Sequence, residues 1–365
     1  MSTEPATQPP APGDMGGRVR RLRMAVVGCG AVAEWCHLPA AKQVRQIEVV
    51  SLVDTSLERA QGLARRFGVG HCAADVGQLP DGLDGAIVAV PNRYHRAVAG
   101  ECLRRGIPVL LEKPLAATVE DARAIVVLAE RTGVLLQIGH VYRFCRGARM
   151  IKQWLEEGWL GPIRRISVEW GSVFDWPVAS GFIWDREQAG GGVLIDAGPH
   201  VLDLLCWWMG EPLALEYWDD ARGGVEAECE ISLVLRGADG LIAGHAVLSR
   251  LRGLWNSVRI IGERFSMEYG LNHRRGEVRL WPTSDVRGRM VLVPDRSVAP
   301  LQSWEDVFAD QLRAFARAVA TGGPAPVSAA DGLRAVKWIE ACYRARQPLE
   351  FPWLESERAT VSVDG

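Results

Sequence analysis

Lysine is nearly absent from this chain. It occurs only at positions 42, 113, 152 and 337, so arginine supplies the other 38 of the 42 basic residues. Arginine stays protonated near neutral pH and cannot exchange a proton there, so a lysine kept inside a motif calls for a chemical reason. No uninterrupted apolar run reaches the length of about 18 residues that a membrane span needs. Excess charge is missing too: a net charge of -2 and a pI near 6.4 give no reason to expect nucleic acid or an anionic membrane as partner. The eight cysteines form no C-x-x-C pair and have no zinc spacing with the seven histidines, so no metal is expected. They read as reduced thiols, several of them in the core, of a cytoplasmic protein.

What is present is apolar material in quantity. At 365 residues, 48% of them apolar, the chain has enough for two domains with a core each. Residues 1–21, rich in Pro, Gly, Ser and Thr, are expected to form a flexible tail. Overlapping the end of that tail, "RVRRLRMAVVGCGAVA" mimics a secretory leader, but the same stretch is better explained as a first strand and its glycine turn. From residue 22 to 145, apolar strands alternate with helices, which predicts a parallel sheet covered on both faces. From 146 to 365 a helix opens a region of period-2 strands such as "AECEISLVLRG", and helices return near Asp306. The expected fold class is therefore an α/β Rossmann domain followed by an α+β domain with a largely antiparallel open sheet.

Three stretches of the first domain carry chemistry. "GCGAVA" follows a strand and opens a helix, fitting G-x-G-x-x-A. Gly28 would make the tight turn, Gly30 would let the backbone approach a pyrophosphate, and Ala33 would allow close helix packing. Asp54 ends the second strand, where a carboxylate accepts hydrogen bonds from ribose hydroxyls; Thr55 and Ser56 offer no arginine for a 2'-phosphate, which favours NAD over NADP. Lys113 in "VLLEKP" lies just past the carboxyl end of a strand, where open α/β sheets bind ligands. "VPNRYH" places Pro91 and Asn92 at the same edge, with His95 either at the crevice or simply starting a helix.

In the second domain, "GGGVLIDAGPHVLDLL" runs from Gly190 to Leu205 and holds Asp196, His200 and Asp203 in an apolar setting. Their spacing of four and three puts all three on one helical face, with Pro199 expected to break the helix into two short pieces. Asp203 reads as structural.

These segments, with "VVSLVDTSLERA", "GHVYRF" and "DGLRAVKWIEACYRA", come in an order that resembles the family of glucose-fructose oxidoreductase and inositol 2-dehydrogenase, often called Gfo/Idh/MocA; the likeness spans residues 23 to 352. The resemblance implies hydride transfer between NAD, with NADP as the alternative, and a sugar, cyclitol or nucleotide-linked sugar in a crevice between the domains. It makes Lys113, Asp196 and His200 catalytic, with His200 as acid/base and the glycine run bringing backbone close to substrate and cofactor. On the cofactor side stand Gly28, Gly30, Ala31, Val32, Ala33, Asp54, Arg59, Pro91, Asn92, His95, Glu112 and Lys113. On the substrate side Tyr142, Arg143 and Trp184 join Lys113, Asp196 and His200, with Trp176 nearby. It further implies a homodimer or homotetramer. Two other readings are an NAD-retaining glycosidase that oxidises transiently and a non-catalytic regulator of the same fold.

Overall fold

A computed structural model describes residues 20–177, 181–221, 224–271, 278–284, 291–292 and 302–350. The first half carries β1 (Leu22–Val27), β2 (Ile47–Val53), β3 (His71–Ala73), β4 (Gly85–Val88), β5 (Val109–Leu111) and β6 (Leu136–Ile138). All pair parallel in the order β3-β2-β1-β4-β5-β6, so the order reverses between β1 and β4. Central strands covered on both faces read as continuous apolar runs, and Met24, Ala25, Val26, Ala86, Ile87 and Val88 are all fully buried. The ligand crevice of such a sheet lies at the carboxyl ends of the strands at that reversal.

The connecting helices are α1 (Leu38–Lys42), α2 (Leu57–Phe67), α3 (His95–Arg104) and α4 (Val119–Thr132). A wide turn over Ala33–His37 precedes α1, with the Leu38 N–H reaching back to the Ala33 carbonyl. Pro39, which has no N–H to give, then falls in the first turn of the regular helix, where none is required. Ser56 caps α2 by accepting from the Arg59 N–H, and Gly68 ends it at φ 78°.

In the second half, α5 (Arg146–Glu156) leads into nine strands: β7 (Ile163–Gly171), β8 (Pro212–Asp219), β9 (Glu228–Gly237), β10 (Gly240–Ser249), β11 (Ser257–Gly262), β12 (Phe265–Gly270), β13 (Val278–Pro282), β14 (Val291–Leu292) and β15 (Arg346–Pro348). Their order is β14-β13-β12-β11-β7-β10-β9-β8-β15, antiparallel except at β7–β10 and β8–β15. Helices including α7 (Val193–Met209), which the short α6 (Arg186–Ala189) precedes, cover one face of this sheet, and among the described residues the other face exposes side chains such as Val234 and Leu241. The last helices, α8 (Trp304–Thr321) and α9 (Ala329–Arg344), each start with a Ser/Asp capping box. They return to the first sheet: the Ile138 N–H donates to the Val327 carbonyl at 3.1 Å, and a Cβ on Gly332 would lie 2.8 Å from Ile138.

Helix α7 departs from expectation. It is a single helix of 17 residues with Pro199 inside it, not two pieces. Pro199 removes one backbone donor, at a cost of about 3 kcal/mol in a helix interior. Fourteen of the 17 residues are buried, and that apolar burial holds the helix together across the gap. No disulfide joins any of the eight cysteines, as read from their spacing. Among the described residues no helix is long and apolar enough to cross a membrane, and no cluster of side chains suits a metal ion.

Candidate active site

At the carboxyl end of β1, Gly28 sits at φ 96°, and a Cβ there would lie 2.4 Å from the Ala89 carbonyl oxygen. Only glycine lets the two loops pass at that distance. At Gly30 a Cβ would meet nothing within 4 Å, so the backbone faces open space at the helix start. Ala31 and Val32 are half-buried beside it, and Ala33 is fully buried beneath the turn. Asp54 is fixed at the end of β2: its carboxylate accepts from the Cys29 and Ser56 N–H groups, each at 2.8 Å. Arg59 reaches the same carboxylate at 3.3 and 3.4 Å, so a cation stands at the acidic end although positions 55 and 56 supply none. Pro91 begins the turn after β4, and the Asn92 amide donates to the Ala189 carbonyl at 2.7 Å. That hydrogen bond fastens the first domain to the end of α6, just ahead of α7.

Across the crevice, Lys113 follows β5 and points at α7. Its ammonium donates to the Asp196 carbonyl at 2.9 Å and to Asp196 Oδ1 at 3.0 Å. Arg250, just past β10, donates to Asp196 Oδ2 at 2.9 Å. Burial alone would raise the Asp196 carboxyl, but Lys113 and Arg250 outweigh it and hold the group below the usual carboxylate range. One turn along, the His200 ring stacks on Trp170 at 5.6 Å and packs against Tyr142 at 5.0 Å. Burial, then the Lys113 ammonium and the neighbouring His140 ring, press its pKa well below the ordinary histidine value, with Asp196 pulling the other way. His200 is therefore a neutral ring at neutral pH, and its buried Nδ1 has no hydrogen-bond partner among the described residues. Asp196, His200 and Asp203 do share one helical face, and each meets a different group of neighbours.

Several residues expected at the crevice lie elsewhere. His95 is fully buried, with Nδ1 2.9 Å from the Pro114 carbonyl and Nε2 2.9 Å from the Val90 carbonyl, so neither nitrogen faces a ligand. Glu112 turns inward onto His37 at 2.8 Å. Arg143 is buried in a two-pronged pair with Asp203 at 2.8 and 2.6 Å and reaches Asp331 at 3.0 Å. Its donors are turned to protein carboxylates, which leaves the structural reading of Asp203 intact. Tyr142 is also buried and lies against the His200 ring. The glycine run makes room for protein: a Cβ at Gly191 would fall 1.9 Å from the Tyr343 hydroxyl, and one at Gly192 1.9 Å from the Glu226 carbonyl. Glu226 accepts from the Gly192 and Leu194 N–H groups and from the Tyr343 hydroxyl, anchoring the start of α7. Trp184, by contrast, is 53% exposed at the rim, and Trp176 is exposed as well. Sequence reasoning missed Arg250 and Glu226, neither of which stands in a spacing pattern.

The open approach at Gly30, the anchored carboxylate of Asp54 and the strand reversal suit a dinucleotide whose pyrophosphate lies on the first helix. Residues 22–140 match the family model described as "Oxidoreductase family, NAD-binding Rossmann fold", and residues 152–351 match "Oxidoreductase family, C-terminal alpha/beta domain". The chain belongs to the Gfo/Idh/MocA oxidoreductase family. Its first domain is that family's NAD-binding domain. Similar proteins include 1,5-anhydro-D-fructose reductase of Ensifer adhaerens, 36% identical over 188 residues that cover 50% of this chain and 55% of the relative. D-apiose dehydrogenase of Paraburkholderia graminis is 24% identical over 363 residues, covering 94% and 93%. The aldose-aldose oxidoreductase of Caulobacter crescentus, solved with glycerol, superposes with a TM-score of 0.78 at 24% identity, over 89% of this chain and 97% of its own. The chain spans about half the length of four curated relatives it matches at 30% identity or above, and 39% of a fifth.

Proposed function

We propose that this Gfo/Idh/MocA protein transfers hydride reversibly between NAD and a secondary alcohol or ketone carbon of a sugar or cyclitol, free or nucleotide-linked. The observation that carries the reading is the meeting, across the crevice, of Lys113 from the first domain with Asp196 from the second, one turn from a neutral, buried histidine. Relatives named as a reductase of an anhydro-sugar and a dehydrogenase of apiose support the substrate class.

Bound NAD accepts or returns the hydride. In the oxidative direction the carbinol C–H bond breaks with both electrons leaving as hydride, the hydroxyl loses its proton, and the C–O bond becomes a carbonyl. His200 receives that proton. Because Nδ1 is buried, we assign the accepting lone pair to Nε2. Lys113 hydrogen-bonds the same oxygen through an N–H not engaged by Asp196 and stabilises its developing negative charge. Asp196, ionised under both cations, fixes the Lys113 ammonium in place.

His200→Ala should lower turnover by roughly 10² to 10⁴ with the fold intact. The check is NADH formation against a panel of sugars and inositols; a variant with near-normal turnover would remove His200 from the mechanism. Since its pKa is depressed, the oxidative rate should hold as pH falls from neutral and decline only below the ordinary value of 6.5. A decline centred at or above that value would show a different base. The open face of the large sheet, where Val234 and Leu241 are exposed, supports a homo-oligomer, which light scattering would check. A cytoplasmic location, argued from unpaired thiols, completes the proposal.

A further inference from the structure

Arg250 has more donors than partners. Its side chain is 7% exposed, and one Nη2–H engages Asp196. Among the described residues, its buried Nε and Nη1 have no hydrogen-bond partner. Two aromatic rings cover the guanidinium, Phe174 at 5.1 Å and Trp184 at 5.8 Å, and Trp184 is itself half exposed at the crevice rim. The Phe174 N–H donates to the Arg250 carbonyl at 3.1 Å, so the segment bearing this aromatic cover is stitched to the arginine's own backbone. Leaving donors of a buried cation unmade is costly, and folding alone gives no return for it. Lys113, Asp196 and Arg250 together also carry a surplus positive charge. A neutral hydroxyl would satisfy a donor but not that surplus.

We propose that Arg250 is a specificity-determining residue that binds a carboxylate on the substrate, so that the crevice takes an acidic sugar such as an aldonic or uronic acid. This rests on the reading of the crevice as a sugar hydride-transfer site. The carboxylate would lie on the free Nη1 donors with the Trp184 and Phe174 rings beside it, while the carbinol lies at Lys113 and His200. Both cations hold the same Asp196 carboxylate, so the two groups of the substrate are about one sugar ring apart. The nucleotide's pyrophosphate, at the Gly30 end of β1, belongs to the other domain and does not account for these donors.

The test is calorimetric titration of the NADH-loaded protein with D-gluconate, D-glucuronate and D-galacturonate, each beside its neutral counterpart D-glucitol, D-glucose or D-galactose, and with UDP-glucose. At least one acid should bind roughly 10- to 100-fold more tightly than its counterpart, as one to two charge-assisted hydrogen bonds imply. Arg250→Gln should abolish that preference, and Arg250→Lys, which keeps the charge without the fork, should keep part of it. Far-UV circular dichroism and NADH affinity report whether each variant is folded. Acids binding no better than their neutral counterparts to the wild type would overturn the proposal. A preference for UDP-glucose over D-glucose that Arg250→Gln removes would give the arginine to a diphosphate and overturn it equally. Turnover with NAD, measured on the same panel, judges the hydride-transfer reading separately: binding of an acid without turnover would leave Arg250 its role and remove the reaction.

Discussion

Arg143 is a case where a residue's type suggested one role and its surroundings assign another. An arginine near a sugar crevice reads as a substrate contact, but here its guanidinium lies between the carboxylates of Asp203 and Asp331 and is itself buried. Arg143→Ala would leave the deeply buried Asp203 carboxylate without its main cation, a loss of about 3–5 kcal/mol for a broken buried pair. Urea denaturation measures it; normal stability with a raised KM would return Arg143 to the substrate. Lys113 was legible because lysine is so rare that a position inside a motif stood out. Arg250 was not, being one of 38 arginines with no spacing to mark it. Which arginine lies in the crevice and which in the core depends on burial and partners, and these come from segments over fifty residues away, such as α7 for both Arg143 and Arg250.

Helix α7 shows both the strength and the limit of local reasoning about an element. Its three- and four-residue spacing correctly placed Asp196, His200 and Asp203 on one face, because helical geometry depends on nothing outside the helix. Pro199 alone predicts a break that does not occur, since continuity depends on burial supplied by the sheet and by neighbouring helices. The glycines before it likewise suggest ligand approach by type, yet two of them make room for Glu226 and Tyr343. Gly192→Ala should therefore destabilise the fold by at least 1–3 kcal/mol, as overpacking does, because the obstacle is backbone. Gly30→Ala meets no protein atom and should leave the melting temperature of the nucleotide-free protein unchanged while weakening NAD binding. Thermal melts and nucleotide titrations of the two variants separate these effects; equal melting temperatures would show that the loop at Gly192 yields.

The whole molecule has an acid weakness built into its interior. His95, His140 and His200 are buried, and burial lowers the pKa of each. Below the unfolded value near 6.5 the unfolded chain binds protons that the folded protein refuses, so stability falls as pH falls. Each ring contributes a slope of roughly 1.4 kcal/mol per pH unit until its own folded pKa is reached. Melting temperatures recorded from neutral pH down to about one unit below the histidine value should drop steeply; a flat profile would mean that the rings are charged inside the fold. At this scale the alternation of strands and helices made the parallel sheet and its crevice readable, whereas the return of α8 and α9 onto the first sheet has no counterpart in local pattern. Glu226, which anchors the first turn of α7, has its other partners in Tyr343 and Arg346, and β6 donates a hydrogen bond to the Val327 carbonyl. On the ribosome, then, the helix bearing Asp196 and His200 waits for chain made about 150 residues later, at several residues per second. A nascent chain halted before Tyr343 would have every residue of the proposed chemistry already synthesised and no complete clasp to hold the helix that carries it.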